Sequence, residues 1–427
     1  MAVAPSGNIS QTSGVDASSG KVRAVLLLVF AVFFILGGVT NIIDVVLPKL
    51  KGLFELNNFQ ANWINGAFFA AYGLFAIPSG IIMSRLGYIR GFVLGFGMIA
   101  LASLLFIPAA NSGIYVSFLG CMFLIGAGIT LLQVGMNPVT MALGTPEKAH
   151  QRLMFGQMFN SVGVVIMVFG GATLLLGEQK PVDLSAMSPQ QLNLHRIADA
   201  QDIASFYVAL AIAMTIIAVL FWYFRSALDG QKAEKVETAG TLQLLLTNRR
   251  LQFGALCIFT YVGAEVAIGS NLITYLGDAN TMGLSASDAK YYVTAYWSAA
   301  LVGRLLGVFV LGFVKPSRLL FTVASIAVVL VAISAVTSGQ VSGLALVAVG
   351  LFNSVMFPTI FSLTTQGMTD EAPKASGIMC TAIIGGAFIP VLFGKIADLS
   401  GLQFALIVPI LCYMIIAAFG LYTRRTA

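Results

Sequence analysis

Three ionisable side chains lie well inside long apolar stretches of this 427-residue sequence: Asp44, Glu265 and Arg304. Insertion scales put the cost of such a side chain in hydrocarbon at about 2.5–3.5 kcal/mol, so each is a candidate for function. Glu265 lies about 15 residues, or roughly 22 Å of helix, from Arg250, so a position at the membrane surface does not explain it. We predict that Asp44 and Glu265 are proton-coupling residues, with an interhelical hydrogen bond as the alternative for Glu265. Arg304 lies nearer the end of its stretch, where it can reach loop carbonyl groups, and we predict a structural role for it.

The residues around Asp44 have spacings that suit a polar site. Asn41 lies three residues earlier and shares the same helix face. Pro48 lies four residues later and has no N–H for the carbonyl of Asp44, so we predict a freed carbonyl and a bent helix. The alternative is a carboxyl group near the membrane surface that is solvated or paired with Lys49 or Lys51.

Side-chain amides form the second group of candidates. An amide offers both a donor and an acceptor, which suits the hydroxyl groups of a sugar. Gln133 and Asn137 are four residues apart, and Gln157 and Asn160 are three apart, so each pair shares a helix face. Interhelical hydrogen bonds, worth about 0.6–2 kcal/mol each, are the alternative role. The predicted substrate-binding residues are Asn41, Gln133, Asn137, Gln157, Asn160, Glu265 and Asn353.

The composition indicates that membrane-spanning helices position these residues. Apolar residues make up 58% of the chain and charged residues only 9%, whereas soluble domains carry roughly 25% charged residues. Apolar stretches of about 20 residues, enough to cross about 30 Å of hydrocarbon, recur throughout the chain. They predict an all-α membrane protein with twelve transmembrane helices, at roughly 24–47, 61–84, 89–110, 113–140, 153–177, 204–225, 251–276, 289–313, 318–337, 341–367, 374–396 and 402–423.

Cysteine, histidine and basic residues argue against other classes of function. The four cysteines fall in apolar stretches without a CxxC pair, and both histidines fall in polar connections. We therefore predict no metal site, no cofactor and no membrane-embedded enzyme, which would need a nucleophile with a base or a metal cluster. The net charge of +6 comes from residues at the ends of apolar stretches, so we predict no nucleic-acid partner.

The placement of lysine and arginine predicts the orientation. With both termini cytoplasmic, sixteen of these residues lie on the inner side, six on the outer side and Arg304 within a span. This asymmetry follows the positive-inside rule. The sequence further predicts a disordered cytoplasmic tail at 1–20, a six-helix half at 21–225, a cytoplasmic linker at 226–248 and a second six-helix half at 249–427. A shift of about 220 residues relates the two halves faintly.

Several stretches together resemble the fucose–proton symporter family of the major facilitator superfamily. They are Asn41-Ile-Ile-Asp44-Val-Val-Leu-Pro48, Asn58-Phe-Gln-Ala61, Gln157-Met-Phe-Asn160-Ser-Val-Gly163, Tyr261-Val-Gly-Ala-Glu265-Val, and Phe357-Pro-Thr-Ile-Phe-Ser-Leu363 with Ile384-Gly-Gly386. The fucose branch has a glutamate where this chain has Gln133 and a glutamine where it has Glu265. That exchange is closer to the glucose/galactose branch of the family.

The resemblance implies the major facilitator fold, with two pseudo-symmetric six-helix halves, and cation-driven uptake of a hexose-like sugar by alternating access. It places Asp44 on the family's proton-linked aspartate, and Asn41, Gln157 and Asn160 in its sugar cavity. We therefore expect proton-coupled symport of glucose, galactose or an amino-sugar relative. Sodium coupling, facilitated diffusion and a non-transporting membrane sensor are the alternatives.

The expected setting follows from the same interpretation. The chain is predicted to be a multi-pass protein of the plasma membrane, a bacterial inner membrane, with both termini cytoplasmic. Its expected partners are a small sugar molecule and the lipid bilayer, and it is expected to be a monomer. The coupling ion is expected to be a proton, with sodium as the alternative.

Overall fold

The computed structural model describes residues 20–112, 114–142, 149–176, 188–225, 240–366, 368 and 371–425. These residues contain helices and connections and no strand. The helices of the first half are α1 (Gly20–Asn41), α2 (Ile43–Leu53), α3 (Asn58–Leu86), α4 (Tyr88–Leu104), α5 (Phe106–Ser112), α6 (Tyr115–Ala142), α7 (Ala149–Leu176) and α8 (Pro189–Tyr223). Those that follow are α9 (Thr241–Thr247), α10 (Arg249–Gly277), α11 (Ala286–Val310), α12 (Pro316–Val336), α13 (Gly339–Asn353), α14 (Met356–Thr365), α15 (Ala372–Thr381), α16 (Gly385–Ser400), α17 (Leu402–Ala405) and α18 (Ile407–Arg425).

The predicted tail at 1–20 lies outside the described residues, except for Gly20, which begins α1. Most of the predicted linker at 226–248 also lies outside them. The described part of that linker contains the short helix α9, which the sequence did not predict.

Eleven helical segments in the described part of the chain are long and apolar enough to cross a membrane. Some of these segments combine two helices, as α1 does with α2 and α13 does with α14. The predicted span that is not among these eleven is the eighth, at 289–313, which falls on α11 and carries the charged residues Lys290 and Arg304. These segments confirm the all-α membrane fold predicted from the sequence.

The helices pack mainly with others of the same half. In the first half, α3 lies against α6, α1 against α7, and α4 against α6 and α8. In the second half, α12 lies against α13 and α18, α10 against α16 and α18, and α11 against α13. The halves meet where α2 packs on α10, α3 on α15 and α16, and α7 on α11. We call the end at which α1 and α10 begin the linker end, and the opposite end, with connections 54–57 and 278–285, the far end.

The same close helix contact occurs in both halves. A Cβ atom on Gly163 of α7 would overlap the carbonyl oxygen of Phe34 in α1. A Cβ atom on Gly385 of α16 would likewise overlap the carbonyl oxygen of Phe259 in α10. Small residues let membrane helices approach this closely. Gly385 and Phe259 follow Gly163 and Phe34 along the chain by about 220 residues, which matches the faint internal repeat of the sequence.

A helix interruption precedes Asp44. Helix α1 ends at Asn41 and α2 begins at Ile43, whereas Pro48 lies inside α2. The interruption therefore lies at Ile42, before the stretch from Asp44 to Pro48 in which the sequence predicted a bend. A proline ring crowds the carbonyl group four residues before it, here that of Asp44, so the chain deviates in the turn that precedes Asp44.

Candidate functional site

Asp44 lies in the first turn of α2, at the surface where the two halves meet. The residue is buried, with 4% of its surface exposed. The hydroxyl of Ser270 in α10 donates a hydrogen bond to Oδ1 at 2.7 Å, and Nε1 of Trp297 in α11 donates to Oδ2 at 2.9 Å. Both donors are neutral and belong to the second half, so this carboxyl group joins the halves. The alternative of a solvated Asp44 at the membrane surface is wrong.

Three buried amides lie on α3 and α10 beside Ser270, the partner of the Asp44 carboxyl group. Oδ1 of Asn65 in α3 lies 3.3 Å from Oγ of Ser270. Asn62, on the same face of α3, exchanges hydrogen bonds with Asn271 of α10, each Nδ2 donating to the other Oδ1 at 3.0 Å. These residues were not among those predicted. The sequence did contain a signal for these residues, because polar side chains within an apolar span are candidates for function, as charged side chains are.

Glu265 lies half-buried in the middle of α10, beside a cluster of tyrosines. The hydroxyl of Tyr261, one turn earlier, lies 2.7 Å from Oε1 of Glu265 and 3.0 Å from the carbonyl oxygen of Asn353. Asn353 ends α13, so its carbonyl oxygen is one that a helix end leaves without a helical partner. Its Nδ2 donates to the hydroxyl of Tyr296 at 2.9 Å. The structure therefore brings together two of the predicted residues, Glu265 and Asn353.

Arg304 links this cluster to the first half. Its Nη1 donates to Oγ of Ser161 in α7 at 2.5 Å, and its charge interacts with Glu265. The Ser161 hydroxyl lies 3.1 Å from the backbone carbonyl oxygen of Gln157, to which it can donate. Loop carbonyl groups were the expected partners of Arg304, and they are not the partners observed. Its side chain instead reaches across the interface between α11 and α7. A nearby guanidinium offsets part of the cost of burying the Glu265 carboxylate.

Two of the predicted amides hold the backbone of α1. Nδ2 of Asn160 in α7 donates to the carbonyl oxygen of Phe33 at 3.1 Å. Nδ2 of Asn41 donates to the carbonyl oxygen of Gly37, one turn earlier in α1, at 2.9 Å. Each bond uses one hydrogen of a group that carries two N–H donors and an oxygen acceptor. The interhelical role and a role in binding a solute are therefore compatible for Asn160.

The other predicted amides lie in α6 and α7. Gln133 is half-buried beside Tyr72 of α3, and Gln157 is half-buried in α7. The side chain of Asn137 lies outside the described residues. Asn41 and Asn160 are also half-buried, so the four described amides of the first half retain surface that water or a solute can reach.

The site consists of carboxyl groups, a guanidinium, amides and hydroxyls. Within the described ranges, no group of three or more histidine, cysteine, aspartate or glutamate side chains is placed to hold a metal ion. Carboxyl groups can exchange protons, and amides and hydroxyls can bind a polar solute through hydrogen bonds. The arrangement is suited to binding a proton and a hydroxylated molecule.

Comparison with known proteins gives a consistent result. The family described as Major Facilitator Superfamily matches residues 29–389. A glucose/galactose transporter of Brucella abortus biovar 1 (strain 9-941) is 38% identical over 394 residues, covering 92% of this chain and 92% of that protein. The L-fucose-proton symporter of Escherichia coli (strain K12) is 32% identical over 424 residues, covering 97% of each. The crystal structure of the transporter FucP in the outward conformation has a TM-score of 0.71 at 31% identity, covering 94% of this chain and 99% of that one.

These matches agree with the membrane-spanning helices and the two packed halves. They extend over most of the chain and confirm the resemblance to both branches of the family. Because the family and these relatives are transporters, the prediction that the chain is not an enzyme is also confirmed. The chain belongs to the major facilitator superfamily, in the group that contains glucose/galactose transporters and L-fucose–proton symporters.

Proposed function

We propose that this chain imports a hexose-type sugar, such as glucose, galactose or an amino-sugar relative, by proton-coupled symport with alternating access. The names of its relatives support the sugar, and that of the L-fucose-proton symporter supports the proton. The observation that carries the proposal is the Asp44 carboxyl group, which is buried between the halves and hydrogen-bonded by two neutral donors of the second half.

The burial of Asp44 explains how a proton can be coupled to movement. Closing the far end around Asp44 removes water from its carboxyl group. Burying an ionised carboxylate that lacks a cationic partner costs far more than burying the neutral acid. A proton bound from the outer side therefore favours closure, and its release to the inner side completes the cycle.

The sugar is proposed to bind between the halves, nearer the linker end than Asp44. Glu265 accepts a hydrogen bond from Tyr261 and interacts electrostatically with Arg304, so its carboxyl group is positioned to accept a sugar hydroxyl and to take part in proton coupling. Its half-buried surface supports access for a solute. The proposed sugar-binding residues are Asn41, Gln133, Asn137, Gln157, Asn160, Glu265 and Asn353.

The proposed setting is a bacterial inner membrane, with the far end outside and both termini cytoplasmic. The excess of lysine and arginine at the linker end supports this orientation. The relatives named above are bacterial. The chain is proposed to act as a monomer that needs no cofactor apart from its coupling ion.

Uptake by purified protein in lipid vesicles tests the proposal. With an imposed proton gradient, the wild-type protein is expected to accumulate glucose or galactose above equilibrium. Asp44→Asn is expected to abolish accumulation while retaining sugar exchange between the two sides, because an asparagine mimics the neutral acid but cannot release a proton. Asp288→Asn is the matched control, since that carboxyl group is exposed in the first turn of α11.

Two results would contradict parts of the proposal. Full accumulation by Asp44→Asn would remove that residue from the coupling step. Accumulation driven by a sodium gradient, without a response to the proton gradient, would show that sodium and not the proton is the coupling ion.

A thermal-stability screen of hexoses and amino sugars, run on the same preparation, identifies which sugar binds.

A further inference from the structure

The hydroxyl group of Ser270 lies between two acceptors. Its Oγ is 2.7 Å from Oδ1 of Asp44 and 3.3 Å from Oδ1 of Asn65. A serine hydroxyl carries one hydrogen, so it can donate to only one of these oxygens at a time. Ser270 and Asn65 are buried, at 1% and 0% exposure, so bulk water does not replace a missing partner. The protonation state of Asp44 decides which acceptor Ser270 serves.

Two arrangements of hydrogen bonds follow. When Asp44 is ionised, Ser270 donates to Oδ1 and Trp297 donates to Oδ2, which makes two bonds across the halves. When Asp44 carries a proton on Oδ1, the acid donates to Oγ of Ser270 and the serine hydroxyl turns toward Asn65. The Trp297 bond persists in both arrangements, because Oδ2 of Asp44 remains an acceptor when the proton is on Oδ1.

The protonated arrangement contains one more bond between the halves. Asp44 and Asn65 belong to α2 and α3, whereas Ser270 and Trp297 belong to α10 and α11. Protonation therefore adds the Ser270–Asn65 bond to the two that already involve Asp44. This added bond ties α10 to α3 at the far end, where the proposed outer gate closes.

We infer that Ser270 is a positioning residue that transmits protonation of Asp44 to Asn65, and thereby links proton binding to closure of the far end. The proton itself stays on Asp44, and Ser270 only turns its own hydroxyl. This inference rests on the proposed role of Asp44 as the coupling residue. It adds a specific hydrogen-bond acceptor in the first half through which the protonated state is stabilised.

Spin labels can measure far-end closure directly. Suitable positions are Asn111 in α5 and Ala279 after α10, which are exposed at the far end of the two halves. Cys380, the half-buried native cysteine, is replaced by alanine to prevent labelling there. The ratio of closed to open molecules is then measured across a pH series in lipid nanodiscs. In the wild-type sequence we expect this ratio to fall as the pH rises.

Ser270→Ala should reduce this pH response by about fivefold, the effect of one net hydrogen bond. Ser270→Thr keeps a hydroxyl at the same position and should preserve the response. Asn65→Leu removes the second acceptor and should reduce the response as Ser270→Ala does. If Ser270 served packing alone, Ser270→Ala would change the closed fraction equally at every pH and leave the response intact, and that result would overturn the inference.

Asp44→Asn separates this inference from the proposed function. The other titratable groups that interact with Asp44 are Glu265 of α10 and Tyr296 of α11. The part of the pH response that Asp44→Asn removes is therefore the part assigned to Asp44. If the pH response is unchanged in Asp44→Asn, the proposed coupling through Asp44 is wrong. If Asp44→Asn reduces the response but Ser270→Ala and Asn65→Leu leave it unchanged, the transmission through Ser270 is wrong. Ser270→Cys, which has a similar volume and a weak donor, provides the same comparison if the alanine variant does not fold.

Discussion

Asp398, near the end of α16, caps the first turn of α3 in the other half. Its Oδ1 accepts a hydrogen bond from the backbone N–H of Asn58, and its Oδ2 accepts one from the N–H of Phe59, both at 2.8 Å. The first N–H groups of a helix have no partner within the helix, and the positive end of the helix dipole favours an anion there. This contact therefore joins the two halves at the far end through a helix terminus, and Lys51 of α2 interacts electrostatically with the same carboxylate.

Asp398→Asn should weaken far-end closure. An asparagine has one acceptor oxygen and no charge, so it cannot accept both backbone hydrogen bonds as the carboxylate does. For an exposed carboxylate at a helix terminus, we expect the closed fraction to fall by about twofold to fivefold. The distance between labels at Asn111 and Ala279 measures this change.

Asp288→Asn is the matched control for Asp398→Asn. The Asp288 carboxylate accepts a hydrogen bond from the hydroxyl of Ser285, at 2.6 Å, within the first turn of its own helix. Among the residues that the structure describes, no hydrogen bond joins it to the first half, so the distance between the labels should not change. An equal shift in both variants would show that loss of any far-end carboxylate, and not the cap across the halves, causes the effect.

The amide pair of Asn62 and Asn271 should behave as one unit. Each residue is buried, and each amide satisfies the other. Changing either residue to leucine leaves Oδ1 of the remaining amide buried without a donor, which costs about 1–3 kcal/mol, although its Nδ2 still donates to the backbone carbonyl one turn earlier. Changing both removes the unpaired group, so the double variant should be more stable than the sum of the single losses predicts.

A double-mutant cycle on thermal stability measures this coupling between the two asparagines. The expected interaction energy is about 0.6 kcal/mol and at most about 1.7 kcal/mol, the average and the maximum of such cycles for hydrogen bonds between membrane helices. Strictly additive losses would show that the two amides act independently. Sugar exchange by the same variants reports whether opening of the far end becomes faster when this bond is absent.

The sequence was sufficient for the fold, whereas the partner of Glu265 was not predicted although local spacing encodes it. Apolar stretches of span length predicted the helices, because a bilayer requires each span to satisfy its own backbone. Tyr261 lies one turn before Glu265 on the same helix, so helix spacing alone brings the two side chains together. Local periodicity carries this kind of information.

The partners of Asp44 could not be obtained from local spacing. Ser270 is 226 residues away and Trp297 is 253 residues away along the chain. Their contact with Asp44 depends on how two six-helix halves dock, which no helical period encodes. The helix interruption between Asn353 and Met356 was also missed, although Asn353 and Ser354 are polar and Pro358 follows four residues after Ser354, because the flanking stretch is long and apolar enough to predict one continuous span.

Tyr261→Phe should weaken sugar binding more than it weakens folding. The Tyr261 hydroxyl lies within hydrogen-bond distance of the Glu265 carboxyl and the carbonyl oxygen of Asn353. Without it, the carboxyl group loses the donor that fixes its direction toward the proposed sugar site. Loss of a hydrogen bond to a charged group corresponds to about a tenfold rise in KM for transport.

Tyr275→Phe is the control for this variant. Its hydroxyl is also buried in α10, but it lies 2.9 Å from Oγ of Ser334 and 2.8 Å from Oγ of Ser342, within the second half. It should lower thermal stability without changing KM. If KM rises equally in the two variants, loss of a buried tyrosine hydroxyl perturbs the helix in general, and the specific role of Tyr261 is refuted.

Gly163 and Gly170 provide a test of the helix contact that recurs in both halves. Both lie on α7, but a Cβ on Gly163 would overlap the carbonyl oxygen of Phe34, whereas a Cβ on Gly170 would meet no atom within 4 Å. Gly163→Ala should force α1 and α7 apart and cost about 1–3 kcal/mol. Gly170→Ala should be neutral or stabilising by up to about 1 kcal/mol, because alanine is the better helix former. Thermal unfolding in detergent compares the two variants, and equal stabilities would show that α1 and α7 do not depend on this close approach.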